Sequence, residues 1–147
     1  MLQLLLGRGT DGLPPAFPVE FDALRLPASP NAALAAPAGT TRERHLELPL
    51  LAVPPDVAWS VLRKLGDGMP RVWLMAEWPE RRQAQWVARS RLANFPDLLN
   101  AEVRGMPGGT GLFLYSRSLT GYSDFGVNAR RVAEWRDAFQ LALASAR

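Results

Sequence analysis

From His45 onward, hydrophobic and polar positions fall into readable periods. Leu46, Leu48 and Leu50 alternate with His45, Glu47 and Pro49, the period of a half-buried strand. Pro49 has no N–H for a ladder, so the strand ends there or lies at a sheet edge. Pro54-Pro55-Asp56 opens a helix, because proline is tolerated in a first turn and an acid suits the positive end of the dipole. Val57, Ala58, Val61, Leu62 and Leu65 continue it at helical spacing. Arg63 and Lys64 lie towards its C-terminus, and Gly66 or Gly68 supplies the stop.

Strand patterns follow. Arg71 to Glu77 alternates Val72, Leu74 and Ala76 with Trp73 and Met75, so both faces are apolar and open to cover. Pro79-Glu80-Arg81-Arg82 reads as a polar connection. Gln85 to Leu92 places Trp86, Ala88, Ser90 and Leu92 on a core face, opposite Val87, Arg89 and Arg91. Phe95-Pro96-Asp97 turns the chain, and Leu98 to Arg104 is a further strand. Met106 to Gly111 is a hairpin loop. Gly111 to Leu119 is the strongest strand, with Leu112, Leu114, Ser116 and Ser118 on one face and Phe113, Tyr115, Arg117 and Leu119 on the other.

From Val127 to Ala144, Val132, Trp135, Phe139 and Leu143 form one helical stripe, with Arg130 and Glu134 on the solvent side and Asp124 or Asn128 as the cap. The order β, α, several β, long α predicts an α+β fold. In it, an antiparallel sheet packs on a long C-terminal helix, helix-grip-like or as a two-layer sandwich.

The first 44 residues differ. Pro14, Pro15, Pro18, Pro27, Pro30 and Pro37 interrupt regular structure, yet Phe17, Phe21, Leu24 and Leu26 are too apolar for a free linker. The reading is an extended Pro-rich arm over residues 1–44, packed on an α+β domain of residues 45–147. Any helix in the alanine run Ala32 to Ala38 spans about one turn. Met1 to Leu6 reads as a strand or a packed terminal arm. It is too short for a secretory signal or a membrane span, which favours a cytoplasmic over a periplasmic location.

Composition narrows the chemistry. With 147 residues and 48% apolar content, the chain can bury a core without staples. It has no cysteine, which removes disulfides, thiolate nucleophiles and cysteine-ligated zinc. The net charge is +3, and Lys64 is the sole lysine among 17 basic residues. The arginines are scattered among acids, which argues against a nucleic-acid footprint.

The best polar cluster is Arg117, Asp124, Asn128, Arg130 and Arg131. It reads first as a strand-to-helix lock in which Arg117 pairs with Asp124 or Asp97. Its functional version is an anion site at a helix N-terminus. His45 is the single histidine and cannot by itself build a multi-histidine metal site. None of Ser29, Ser60, Ser90, Ser116, Ser118 or Ser123 sits in a nucleophile elbow. Asp97 and Glu102 read as a turn acid and a strand-end charge, with an acid–base pair as the sharper alternative. The glycines Gly105, Gly108, Gly109 and Gly111 lack the lysine of a phosphate loop. Of the five tryptophans, Trp73, Trp86 and Trp135, with Phe139, are candidates to line a pocket between sheet and helix. No catalytic set, metal site or cofactor motif emerges.

The stretch Ser116-Arg117-Ser118-Leu119-Thr120-Gly121-Tyr122-Ser123-Asp124-Phe125-Gly126-Val127-Asn128-Ala129-Arg130-Arg131-Val132 resembles the signature of domain of unknown function 1499, an uncharacterised bacterial family. Ser29-Pro30-Asn31 and Phe95-Pro96-Asp97 with Glu102 resemble its weaker segments. Ala28 and Ala32 stand where many members carry cysteines. The resemblance implies a fold and no mechanism.

Together these features favour a non-enzymatic binding or interaction module, for a small apolar ligand or an envelope protein partner. The alternative is a hydrolase- or cyclase-like enzyme using acidic residues in a cavity between sheet and helix.

Overall fold

In the computed structural model the fold is built outward from a long hairpin. Strand β5 (Pro96–Met106) and strand β6 (Gly109–Ser118) pair along their whole length. Pro107 presets one turn residue and Gly108, at φ 92°, takes the left-handed one, so two residues suffice to reverse the chain. Residues 2–121 and 124–146 are described, apart from the side chains of Leu2 and Gln3. Tyr122 and Ser123 of the signature, and Met1 of the terminal run, lie outside them.

Four more strands flank the hairpin: β1 (Ala32–Ala36), β2 (Leu46–Glu47), β3 (Val72–Trp78) and β4 (Gln83–Arg89). The six-stranded sheet runs β2-β1-β6-β5-β4-β3. All pairs are antiparallel except β1 with β2, which is parallel, so the sheet is mixed. The helices are α1 (Leu2–Leu6), α2 (Pro55–Gly68) and α3 (Val127–Ser145). The fold is α+β, with the C-terminal helix on the sheet, as the order of patterns predicts.

One face of the sheet carries α2 and α3. Leu112 and Leu114 of β6, Leu99 and Val103 of β5 and Trp86 of β4 meet Leu62 of α2 and Val132, Trp135, Phe139 and Leu143 of α3. The expected helical stripe is thus buried whole, and the two faces of β6 divide as their alternation requires. Phe113 and Tyr115 turn to the other face, where they pack with Leu34, Ala36 and Phe21.

Three expectations are corrected. The alanine run is not a helical turn but strand β1, buried between β6 and β2. Small side chains suit it, because α3 and Phe21 crowd its two faces; tertiary packing overrides helix propensity here. The sheet therefore takes a strand from the stretch read as arm. Second, the described part of the terminal run is not a strand; Leu2–Leu6 is one short helix. Third, β4 starts at Gln83 and ends at Arg89, so Leu92, expected on the core face, stands in a loop and is fully exposed. Arg89, expected outside, is buried. The rest of the arm covers β3, β4 and β5 on the face opposite the helices.

Candidate functional site

Asn128 sits in the first turn of α3 and is fully buried. Its amide Nδ2 donates to the Asn31 carbonyl (3.1 Å), Ser118 Oγ (2.8 Å) and Asp124 Oδ2 (2.8 Å). Its Oδ1 accepts from Ser116 Oγ (2.5 Å) and Arg131 Nη1 (3.0 Å). One amide thus ties β6, the residue leading into β1, the turn before α3 and α3 itself. Asp124 completes the turn: Oδ1 accepts from the Gly126 N–H (2.7 Å) and Oδ2 from the Asn128 N–H (3.1 Å). Gly126 at φ 84° reverses the chain into the helix. Burial pushes the Asp124 carboxyl up, but hydrogen bonds from Asn128 and the Gly126 N–H outweigh it and hold it below the ordinary range.

Arg131, not Arg117, is the arginine of this lock. Its Nη1 reaches Asp97 Oδ2 at 2.8 Å, with both side chains largely buried. Burial of Asp97 outweighs the pull of Arg131 and of the Ser118 hydroxyl, so its carboxyl lies above the ordinary range. Arg130 is exposed and, among the described residues, reaches the Phe125 carbonyl at 3.5 Å. The expected cluster therefore splits: Asp124, Asn128 and Arg131 come together, Arg130 faces solvent, and Arg117 lies on the other side of the sheet. The reason is strand alternation. Ser116 and Ser118 point at α3, so Arg117 between them cannot.

On that other side Arg117 lines a groove of about 370 Å³ with Arg25, Pro27, Ser29, Asn31, Tyr115 and Ser118. Among the described residues, neither Arg25 nor Arg117 has a carboxylate within ion-pair distance, whereas Arg81 and Arg131 each hold one and Arg104 holds two. Burial raises the Tyr115 phenol, against the opposing pull of Arg117, so it keeps its proton. The groove offers two cations and hydroxyl and amide donors, and no acid among the described residues lines it.

The other candidates are placed as follows. Asp97 and Asp124 share an apolar depression of about 550 Å³ with Phe95, Phe125 and Val127. Each carboxylate there is already committed, to Arg131 and to the helix turn. Glu102 is on the opposite face, bonded to Gln83 and Arg104, so it does not pair with Asp97. His45 Nδ1 accepts from the Leu34 N–H at 3.0 Å, a main-chain tie at the sheet edge. Trp86 and Trp135 pack with ring centroids 5.1 Å apart and, with Phe139, fill the space between sheet and helices rather than line a void. Trp73 is apart, half-exposed beneath the Arg71 guanidinium.

Sequence reading missed a second polar set. Gln83, Gln85 and Arg89 of β4 and Asn100, Glu102 and Arg104 of β5 form a polar row on the arm-side face, and all but Arg104 are buried. Its signal was present: polar residues at alternate positions on two paired strands. That pattern ordinarily marks a solvent face, and the covering arm reverses its meaning.

A family model, "Protein of unknown function (DUF1499)", matches residues 24–139. The chain belongs to this family. The DUF1499 match includes the lock, the Arg25–Arg117 groove and every strand. No curated protein matches the sequence. Among solved structures, an uncharacterised protein from Rhizobium leguminosarum is 18% identical, with a TM-score of 0.38 over 50% of this chain and 51% of that one. Among the described residues of this DUF1499 chain, no helix is long and apolar enough to cross a membrane.

Proposed function

We propose that the chain is a non-catalytic binding module that takes an anionic group, a carboxylate or a phosphate, between Arg25 and Arg117. One observation carries the reading: two guanidiniums line one polar groove with no carboxylate among the described residues to neutralise them. Two like charges brought to one groove repel, and an anion held by both relieves that repulsion. Guanidinium forks suit planar or tetrahedral oxyanions, and the Tyr115 hydroxyl adds a donor. The lock around Asn128 serves this site indirectly. It holds Asn31 and Ser118, which line the groove, through the amide of Asn128.

Calorimetric titration of the protein with inorganic phosphate and, separately, with acetate tests the reading and distinguishes the two anions. Saturable binding of one of them, weakened at least ~10-fold in Arg117→Ala and in Arg25→Ala but not in Arg130→Ala, is expected from removal of a charge-assisted pair. No binding of either anion, or binding unaffected by both substitutions, overturns it.

A further inference from the structure

Among the described residues, five of the nine exposed large hydrophobic side chains gather at one end of the sheet: Leu6, Trp73, Leu92, Phe95 and Phe125. Here β4 leaves the sheet, β5 enters it and β6 turns towards α3. Contacts fix the neighbourhood. Asn94 Nδ2 donates to the carbonyls of Leu5 (2.7 Å) and Gly7 (2.8 Å), which brings Leu6 to the β4–β5 loop. Leu6 and Trp73 line one hollow with Asn94, and Phe95 and Phe125 line another. Phe17, Leu50, Val57 and Leu141 lie elsewhere.

The loop that carries Leu92 is closed by its own main chain and Ser90. Ser90 donates its N–H to the Phe95 carbonyl (3.0 Å), accepts the Phe95 N–H on Oγ (2.9 Å) and accepts the Asn94 N–H on its carbonyl (3.2 Å). Asn94, at φ 56°, takes the left-handed conformation that asparagine tolerates. Leu92 is held on this turn at 102% exposure. Phe125, at φ 53°, has a backbone conformation costly for an aromatic residue and is 87% exposed.

Arginines surround these side chains. Arg8 lines the hollow of Leu6, Arg91 precedes Leu92, and Arg130 reaches the Phe125 carbonyl. All three are exposed, and among the described residues none has a carboxylate within ion-pair distance. Asp97 is paired with Arg131. That leaves Asp124 in the helix turn and the exposed Asp11 and Glu134, against Arg8, Arg71, Arg89, Arg91 and Arg130, so this end is positive.

From this arrangement we infer that this end of the sheet docks on an anionic bilayer. Leu92, Phe95 and Phe125 enter the boundary between headgroups and acyl chains, and the arginines meet lipid phosphates. Two features select a bilayer over a protein. Leu92 and Phe125 stand out singly on turns; a protein partner would need a matching cavity for each, whereas a bilayer yields to a protruding side chain of any shape. Aromatic rings beside cations also suit the headgroup level. The inference does not rest on the Arg25–Arg117 groove, although Ser118 lines both that groove and the Phe95–Phe125 hollow. Phosphate titration reads the groove and vesicles read this end, so either can fail alone.

Cosedimentation with large unilamellar vesicles is the test. The full chain should bind phosphatidylcholine vesicles containing about one-third phosphatidylglycerol, and bind pure phosphatidylcholine at least ~10-fold more weakly, the difference collapsing at ~0.5 M salt. Leu92→Asp and Arg91→Glu should each weaken binding to the anionic vesicles at least ~10-fold. Leu141→Asp adds the same charge on the exposed side of α3, near its far end, and should change binding less than ~3-fold. Thermal melts check that each variant folds. The chain has no cysteine, so Leu92→Cys carries a single environment-sensitive fluorophore. Its emission should shift to the blue on anionic vesicles and be quenched by lipids brominated along the acyl chain; the same label on Leu141→Cys should do neither. Absence of binding to anionic vesicles at low salt overturns the proposal and leaves this end to a soluble partner. Equal weakening by Leu92→Asp and Leu141→Asp overturns it too, as does a label at position 92 that stays in water on the bound protein.

Discussion

Arg131 Nη1 touches both Asp97 Oδ2 and Asn128 Oδ1, at 2.8 and 3.0 Å, so one nitrogen couples the start of β5 to the first turn of α3. The pair is nearly out of water. Removing the arginine strands a buried carboxylate, whereas removing both partners leaves no buried charge. Arg131→Ala should cost about 3 kcal/mol, and Arg131→Ala with Asp97→Ala clearly less than the sum of the singles. Urea unfolding of the four proteins of the cycle measures it; strict additivity would show that the pair carries no coupling energy.

Asn128 is the more demanding test. Asn128→Asp keeps the shape but replaces a donor by an acceptor facing the Asn31 carbonyl and Asp124. Its destabilisation should exceed that of Asn128→Ala, which itself should cost about 2–3 kcal/mol through unsatisfied buried groups. Thermal melts of both variants decide the order.

Gly66 pits propensity against packing. Alanine would favour helix α2 by about 0.5–1 kcal/mol. A Cβ at this position, however, overlaps the Trp86 indole nitrogen, which is buried and has no hydrogen-bond partner among the described residues. Overpacking costs about 1–3 kcal/mol, so Gly66→Ala should destabilise despite its better propensity. Gly66→Ala with Trp86→Phe should recover part of the loss, read from denaturant midpoints.

The two acids of the lock bend the pH profile in opposite senses. Asp124 is held low in the fold, so its contribution is present above the ordinary carboxylate range and fades as pH falls through the depressed value. Asp97 is held high, so its contribution is complete below the ordinary range and fades as pH rises through the raised value. Stability measured from about pH 3 to 7, the span of carboxylate titration, should lose part of its acid limb in Asp124→Asn. In Asp97→Asn the decline on the neutral side should flatten instead.

Arg89 binds the arm at three carbonyls and the loop after β4 at one, that of Asn94. Burial, with the nearby charge of Arg71, holds its guanidinium below the ordinary arginine value against the opposing charge of Asp11, and main-chain carbonyls accept its hydrogen bonds. Arg89→Met should free residues 4–11 while leaving the helix-side core intact. Faster proteolysis before residue 12, with a change in global stability of less than about 2 kcal/mol, is the expected outcome. Hydrogen exchange localised to the same residues checks it.

Period and punctuation alone determined much of this protein. The existence of α2, α3 and the four strands between Val72 and Ser118, the stripe Val132–Trp135–Phe139–Leu143 and the split of β6 into two faces are local consequences of side-chain spacing, although the bounds of β4 and the start of β5 are not. The family resemblance was legible for the same reason, since the Ser116–Val132 signature is contiguous. Three things depended on residues far apart in sequence. Ala32–Ala36 is a strand because α3 and Phe21 press on it from both faces. Arg131 instead of Arg117 meets Asp97 because the direction of α3 and the parity of β6 must be known together. The polar row on β4 and β5 is buried because an arm some 60 to 90 residues away lies over it, as the separations of its hydrogen bonds show. Sequence spacing specifies which face a side chain takes within one element; only the folded chain specifies what covers that face.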